Sequence, residues 1–126
     1  MIKGIGTDII EIERVKQKVD KPLGFKEKVF SAHEIEICEA KGALKYQSYA
    51  GRFAAKEAFL KAVGISWIDE YDLTEIEIVN EESGKPYFKF RGAIERWLQE
   101  QKIKYTHLTI SHSKEFATAT VILENE

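Results

Sequence analysis

The chain has 126 residues, of which 44% are hydrophobic and 32% charged, and it contains two prolines and one cysteine, Cys38. This length fits one domain over residues 1–126 with a single core, and the composition excludes collagen-like, low-complexity and wholly disordered chains. One cysteine excludes an intramolecular disulfide framework and a cysteine-cluster zinc site. No apolar run approaches the roughly 18 residues of a membrane span, and the first residues lack a signal-peptide pattern. We therefore expect a cytoplasmic protein that does not bind membranes.

The charges are unevenly distributed along the chain. The net charge is −2, from 19 basic and 21 acidic residues, which argues against non-specific binding of nucleic acid. Segment 14–28 carries six cations and two anions, a net charge of +4, whereas segment 69–82 carries seven acids and no cation. Such runs are ordinarily solvated surfaces. The alternative is that the basic segment docks an acidic partner, because opposite potentials steer encounter.

The first predicted element is a strand over residues 2–12. Its even positions share one face, because alternate side chains of a strand point to opposite sides. That face is apolar except for Asp8. It also contains Gly4 and Gly6, which allow another group to approach the backbone closely or mark a bulge.

Helices are predicted over most of the next fifty residues. In chain order the helical segments are 13–20, 25–30, 31–41 and 43–63. Pro22 and Gly24 separate the first two. Ser31 and Glu34 have the spacing of a capping box, which predicts the start of the third helix. The fourth segment has the strongest helical periodicity, and Gly64 ends it.

The second half of the chain predicts two hairpins and one helix. In chain order these are strands 73–79 and 86–90, an amphipathic helix over 92–102, and strands 105–111 and 116–123. In the first strand Ile76 and Ile78 alternate with Glu75 and Glu77, which predicts one apolar and one polar face. The order of elements indicates an α+β fold with a mostly antiparallel sheet and a long central helix.

Two carboxylates are candidates for chemistry. Asp8 would be costly on a buried face unless it forms an ordinary salt bridge or binds a metal. Glu57 lies about 40° from Phe53 around the predicted helix, at the edge of its apolar face. Its ordinary alternative is a surface pair with Lys61, four residues on. Two inward carboxylates make a plausible Mg²⁺ site, because Mg²⁺ takes one or two carboxylates together with substrate phosphates.

Basic residues near these carboxylates indicate a phosphate substrate. Lys61, with Arg52 and Lys45 earlier on the same helix, offers positive charge to phosphate oxygens. His112 stands near the end of a predicted strand, as either a functional or a structural histidine. Ser111 and His112 point to opposite faces of that strand, and the chain has no G-x-S-x-G motif, so a hydrolase Ser–His pair is not expected. The glycine-rich phosphate-binding motifs are also absent from the sequence.

Three segments together resemble one family. They are residues 4–10 (Gly-Ile-Gly-Thr-Asp-Ile-Ile), residues 53–62 (Phe-Ala-Ala-Lys-Glu-Ala-Phe-Leu-Lys-Ala), and residues 110–113 (Ile-Ser-His-Ser) followed by Ala-Thr-Ala at 117–119. In order and spacing they are similar to the holo-acyl-carrier-protein synthases, the small bacterial type of 4′-phosphopantetheinyl transferase. The resemblance covers essentially the whole chain.

The resemblance implies a fold, a reaction and a set of roles. The 4′-phosphopantetheine arm of coenzyme A would pass to a serine of apo-acyl carrier protein, adenosine 3′,5′-bisphosphate would leave, and the pathway would be fatty acid biosynthesis. Asp8 and Glu57 match the family's Mg²⁺ ligands, and Lys61 its phosphate-contacting lysine. The expected coenzyme A contacts are Lys45, Arg52, Lys61, Gly84, Lys85, Pro86, Ser111 and His112.

The resemblance also implies a role for the basic segment 14–28 and a need to remove the proton of the acceptor serine. Acyl carrier proteins are acidic, so the resemblance favours docking through Arg14, Lys18 and Lys21. The acceptor serine must lose a proton, either to Glu57 or to a metal-bound water beside it. The residues leave both possibilities open.

The family also implies a homotrimer with active sites between subunits. The last strand, 116–123, is apolar on both faces, whereas a small antiparallel sheet normally leaves one face wet. A neighbouring subunit would cover the second face and bring its 84–86 loop to the first chain's Asp8 and Glu57. The alternative is that helices 43–63 and 92–102 cover that face within one chain.

Two other functions compete with the transferase. A Mg²⁺-dependent diphosphate hydrolase acting on a nucleotide compound would use the same carboxylates and need no acceptor protein. A non-catalytic module would only dock acidic proteins through segment 14–28, and its Asp8 would be an ordinary buried ion pair.

Overall fold

The computed structural model describes residues 1–22, 24–64 and 71–126. The strands are β1 (Ile2–Glu11), β2 (Ile76–Asn80), β3 (Pro86–Phe90), β4 (Tyr105–His112) and β5 (Phe116–Glu124). The α-helices are α1 (Ile12–Asp20), α2 (Phe25–Val29), α3 (Ala32–Glu39), α4 (Lys45–Val63) and α5 (Gly92–Glu100). Short 3₁₀ turns, Gly42–Leu44 and Leu73–Glu75, precede α4 and β2. None of the described helices is long and apolar enough to cross a membrane.

The strands form two antiparallel sheets. The larger has the order β1-β5-β4 and the smaller is the hairpin β2-β3. The long helix α4 packs across the inner face of the larger sheet, and α5 and the small sheet complete the same core. A second apolar cluster lies between α4 and the helices α1 to α3. This mixture of helices and antiparallel sheets confirms the α+β prediction.

Most predicted elements are present, with small changes at their ends. Ser31 and Glu34 form the predicted capping box: the Ser31 hydroxyl accepts from the Glu34 N–H, and the Glu34 carboxylate from the Ser31 N–H. The strand predicted over 73–79 begins only at Ile76. The Asp72 carboxylate accepts a hydrogen bond from the Thr74 N–H at 2.9 Å, which stabilises the 3₁₀ turn before the strand.

The prediction of a polar face on β2 is wrong at Glu77, which is 4% exposed. Its carboxylate accepts hydrogen bonds from the Ser31 hydroxyl and the Arg91 guanidinium, so the polar side of β2 is covered by the start of α3. The acidic segment 69–82 is therefore not one solvated surface. Two of its acids, Asp69 and Glu70, lie outside the described residues.

Strand β5 is buried on one face only. Ala117, Ala119, Val121 and Leu123 are buried beneath the helices. The other face of the larger sheet remains open: Ile5, Ile9 and Tyr105 are 66%, 65% and 54% exposed. Helices α4 and α5 therefore do not cover both faces within one chain.

A buried ion pair ties three helices to the small sheet. The Lys56 ammonium, on α4, donates to Glu34 Oε1 at 2.7 Å and to the carbonyls of Val29 and Leu73 at 2.7 and 2.9 Å. The other oxygen of Glu34 accepts from the Ile78 N–H at 3.0 Å. Burial lowers the pKa of Lys56, and the pair with Glu34 opposes that shift. Full hydrogen bonding offsets the cost of burying these charges.

Lys56→Met leaves the Glu34 carboxylate buried without its cation, so we expect the free energy of unfolding to fall by about 3–5 kcal/mol. Urea denaturation at fixed protein concentration measures this loss. Lys104→Met is the control, because the Lys104–Glu126 pair is exposed and 3.6 Å long; its loss should stay below about 1 kcal/mol. Equal losses in the two variants would contradict the role of the buried pair.

Candidate active site

The candidate carboxylates meet because β1 lies unusually close to α4. A Cβ atom on Gly4 would lie 2.1 Å from the carbonyl oxygen of Ala62, and one on Gly6 would lie 2.0 Å from that of Ala58. Such separations are far inside van der Waals contact, so only glycine fits at either position. The next inward position of the strand is Asp8, which the same approach brings to the helical turn of Glu57 and Lys61.

Asp8, Glu57 and Lys61 form one charged cluster. The Lys61 ammonium donates to Asp8 Oδ1 at 2.8 Å. The Asp8 side chain is 14% exposed, whereas that of Lys61 is 58% exposed. The ordinary alternative for Asp8, a salt bridge, is thus present. The ordinary alternative for Glu57 is not, because Lys61 pairs with Asp8 on the neighbouring strand and not with Glu57.

Glu57 has a perturbed acidity. Burial raises its pKa, and the negative charge of Asp8 raises it further. Lys61 and Lys18 act in the opposite direction. Two carboxylates that repel each other beside a single partnered lysine form a site that favours an additional cation. In the described residues no cluster of three or more His, Cys, Asp or Glu side chains is present. Two carboxylate ligands nevertheless fit Mg²⁺, which completes its shell with water and phosphate oxygens.

A cavity of about 350 Å³ opens beside Glu57. We call it the Glu57 cavity. Phe53 and Phe116 contribute apolar walls, and Arg14 and Lys18 of helix α1 contribute positive charge. The Lys18 ammonium also lies over the rings of Phe25 and Phe53, 5.5 and 6.0 Å from their centroids. Two of the three predicted docking residues, Arg14 and Lys18, therefore share a cavity with Glu57, whereas Lys21 does not line it.

A second cavity, of about 300 Å³, lies between α4, the β2-β3 hairpin and the end of β4. We call it the Arg52 cavity. Its lining includes the predicted residues Arg52, Gly84, Pro86 and His112. These residues come from three separate parts of the chain, and their convergence agrees with a common binding role. The lining residues that were not predicted from the sequence include Lys41, Ser48 and Asn80.

Arg52 carries a positive charge into this cavity while being only 5% exposed. Its guanidinium donates to the Ser48 hydroxyl at 2.9 Å and to Asn80 Oδ1 at 2.6 Å. Its Nε is buried without a hydrogen-bond partner. In the described part of the chain no carboxylate forms an ion pair with Arg52. A buried cation held by neutral groups attracts an anionic ligand, because burial without a counter-charge is costly.

Besides Lys61, which belongs to the charged cluster, three predicted contacts line neither cavity. Lys45 donates to Glu39 Oε1 at 3.2 Å and lies over the ring of Tyr46. Lys85 is exposed on the hairpin turn. Ser111 pairs with Thr118 on the outer face of the sheet, opposite to His112. Within one chain these residues are therefore apart from the Arg52 cavity.

Sequence reasoning had one available signal for the unpredicted residues. Ser48 precedes Arg52 by four positions, so the two share a helix face. Lys41 and Asn80 lie on other elements, and only the packing of those elements against α4 brings them to the cavity. No local pattern distinguishes them from ordinary loop and strand-end residues.

Comparisons with known proteins identify the family of the chain. The family model of the 4′-phosphopantetheinyl transferase superfamily matches residues 4–121. The chain therefore belongs to this superfamily. A holo-[acyl-carrier-protein] synthase of Cytophaga hutchinsonii is 50% identical over 124 residues, which cover 97% of each chain.

Solved structures show the same fold. The holo-[acyl-carrier-protein] synthase of Neisseria meningitidis superposes with a TM-score of 0.88 at 34% identity, covering 98% of this chain and 99% of the other. The enzyme from Bacillus anthracis, crystallised with coenzyme A (3′,5′-ADP), superposes with a TM-score of 0.82 at 39% identity, covering 100% and 99%. The family and fold predicted from the sequence are thereby confirmed.

The raised pKa of Glu57 has a consequence for stability. With a folded-state pKa above the ordinary value near 4.5, the carboxylate costs stability once the pH exceeds both values. In metal-free buffer at pH 7, Glu57→Gln should therefore unfold at a higher temperature than the unchanged chain. The difference should shrink as the pH falls through the folded-state pKa toward 4.5, because protonated glutamate and glutamine are both neutral.

Added Mg²⁺ should reverse this order. At 100 times its Kd it would stabilise the unchanged chain by about 2.7 kcal/mol and have little effect on Glu57→Gln. Differential scanning calorimetry with and without a chelator measures both effects. The control, Glu36→Gln, removes an exposed carboxylate and should show neither. Identical Mg²⁺ stabilisation in all three proteins would contradict a metal site at Glu57.

Proposed function

We propose that the chain transfers 4′-phosphopantetheine from coenzyme A to a serine of apo-acyl carrier protein, with Mg²⁺ held by Asp8 and Glu57. The observation that carries the residue roles is the cluster of Asp8, Glu57 and Lys61. It stands at the family's motif positions, and its Glu57 lines a cavity together with Arg14 and Lys18. Family membership and the names of the relatives support the reaction. The reaction belongs to fatty acid biosynthesis and takes place in the cytoplasm.

The reaction needs positioning and charge neutralisation more than covalent help. The serine oxygen bonds to the phosphorus on the pantetheine side, the bond to the bridging diphosphate oxygen breaks, and adenosine 3′,5′-bisphosphate leaves. When bound, Mg²⁺ neutralises diphosphate charge and orients the reacting group. Asp8 and Glu57 would hold it, because two carboxylates plus substrate oxygens suit this ion.

Lys61 supplies a mobile positive charge. Its exposed side chain reaches Asp8 from solvent, so it can move to a diphosphate oxygen without disturbing the core. Glu57 accepts the proton of the acceptor hydroxyl, directly or through one water. Burial and the adjacent Asp8 make the Glu57 carboxylate more basic than an exposed glutamate, which suits this role.

The Arg52 cavity binds the nucleotide end of coenzyme A, with its 3′-phosphate near the guanidinium. The uncompensated charge of Arg52 supports this placement, and Lys41 and His112 stand on the same cavity. Gly84 and Pro86 form another wall. Lys45, Lys85 and Ser111 stay predicted contacts, which a neighbouring chain would complete.

The two cavities have no lining residue in common. Arg52 and Glu57 are five residues apart on α4, about 140° around its axis, and so point to different sides. One coenzyme A molecule would therefore span two chains, from the Arg52 cavity of one to the Asp8 and Glu57 of the next. We propose a homotrimer on this basis, because a closed ring repeats one such interface.

The open face of the larger sheet supports this assembly. It exposes Ile5, Ile9, Tyr105 and Phe116, which a second copy would bury. Light scattering at micromolar concentration should report a mass of three chains. Mixing Glu57→Gln subunits with subunits lacking Arg52 should restore partial activity, because some mixed interfaces combine two unchanged halves. A monomer with full activity would contradict the shared site.

The activity itself is tested by incubating the chain with coenzyme A, Mg²⁺ and apo-acyl carrier protein. Mass spectrometry should show a gain of one phosphopantetheine on the carrier. Asp8→Asn keeps the side-chain shape but removes the charge, and it should lower the rate by about 100-fold or more. Consumption of coenzyme A without the carrier would instead indicate the diphosphate hydrolase. Carrier binding without any turnover would indicate the docking module.

The docking surface is tested by charge reversal on and just after helix α1. Arg14 and Lys18 are four residues apart and lie on one side of α1, and Lys21 directly follows its last residue. The double change Arg14→Glu and Lys21→Glu should raise the KM for the carrier about tenfold or more and weaken its salt dependence. The KM for coenzyme A should change by less than about twofold, because the reversed charges act on the encounter with the carrier. The double change Lys89→Glu and Lys104→Glu, at two exposed sites outside segment 14–28, is the charge-matched control. Equal changes in both KM values would contradict a dedicated docking face.

A further inference from the structure

Asn80 lines the Arg52 cavity and connects Arg52 to the turn between β2 and β3. It is the last residue of β2, and its side-chain oxygen accepts the 2.6 Å hydrogen bond from Arg52 Nη2. Its amide nitrogen donates to the carbonyl oxygen of Gly84 at 3.0 Å. One amide group therefore joins the buried cation of α4 to the turn between β2 and β3.

The position of the β2-β3 turn depends on bonds within the hairpin and on its link through Asn80 to Arg52. Gly84 has a φ of 94°, in the left-handed region that favours glycine. The turn is closed by hydrogen bonds from the Gly84 N–H to the Glu81 carbonyl and from the Glu81 N–H to the Lys85 carbonyl. These bonds hold the turn to its own hairpin. Asn80 is the residue that also holds it to Arg52.

The neutrality of Asn80 matters as much as its shape. An aspartate in the same place would accept the bond from Arg52 but form an ion pair that cancels its charge. It would also turn a carboxylate oxygen toward the Gly84 carbonyl, where both groups are acceptors. The amide avoids both effects, because it offers an acceptor to Arg52 and a donor to Gly84.

We propose that Asn80 is a positioning residue that sets the anion selectivity of the Arg52 cavity. It orients the guanidinium and fixes the Gly84 turn while leaving the positive charge of Arg52 available to a phosphate group. This inference rests on the proposed function, in which that group is the 3′-phosphate of coenzyme A. Ser48, the other neutral partner of Arg52, holds the opposite guanidinium nitrogen.

The experiment compares two nucleotides that differ by one phosphate. Isothermal titration calorimetry measures the binding of adenosine 3′,5′-bisphosphate and adenosine 5′-monophosphate to the full-length chain at fixed salt. The ratio of the two affinities is the readout, because a merely structural defect lowers both affinities together. The variants are Asn80→Asp, Asn80→Ala and the control Lys89→Gln, which changes the charge of the same hairpin by the same one unit.

The unchanged chain should prefer the bisphosphate. Asn80→Asp should lose about tenfold or more of that preference, the size expected for a charged hydrogen bond. Asn80→Ala should lose less of it, because the charge of Arg52 remains while its orientation is released. Lys89→Gln should keep the full preference, and raising the salt concentration should weaken bisphosphate binding wherever the preference is present.

Two results would overturn the inference, and they differ. A preference that survives unchanged in Asn80→Asp, or a loss of both affinities by one common factor, refutes the role of Asn80 while leaving the phosphate site intact. No preference in the unchanged chain refutes the phosphate site of the proposed function, and the inference with it.

Discussion

The backbone of strand β1 lies directly against the backbone of helix α4, and the placement of the candidate catalytic cluster depends on this contact. Side chains at positions 4 and 6 would occupy the space of the Ala62 and Ala58 carbonyls, so glycine is required at both. The small alanines of α4 complete the close approach. With β1 held there, the carboxylate of Asp8 reaches Lys61 and raises the pKa of Glu57. A strand held at the usual side-chain distance would leave the two carboxylates apart.

Helix α4 carries two buried cations that have different kinds of hydrogen-bond partner. Lys56 is a buried cation with a full set of partners, including Glu34, and it stabilises the packing of three helices. Arg52, one turn earlier, is a buried cation held only by neutral groups. The first arrangement satisfies its charge within the chain, whereas the second leaves charge for a ligand. The same helix thus combines a structural ion pair with a candidate phosphate site.

The separation of the two cavities explains why the proposed active site would need two chains. The Arg52 face and the Glu57 face of α4 point in different directions, and the open face of the larger sheet exposes Ile5, Ile9, Tyr105 and Phe116. A ligand with a diphosphate between two long ends suits a site formed by two chains. The trimer proposed here would bury that face and complete the site in one step, so assembly and activity would depend on the same contacts.

The sequence by itself determined the elements and the family, and it predicted Asp8, Glu57 and Lys61 as candidate site residues. Periodicity predicted the long helix and both hairpins, the Ser31–Glu34 spacing predicted a capping box, and three motifs identified the superfamily, because each of these signals lies within a short stretch of chain. Only the tertiary structure decided which polar residues are buried and which cations share a cavity. Glu77 is buried because α3 covers it, and Asn80 meets Arg52 because the hairpin packs on α4. These contacts join residues 46 and 28 positions apart, and no local pattern encodes a meeting that depends on how whole elements pack.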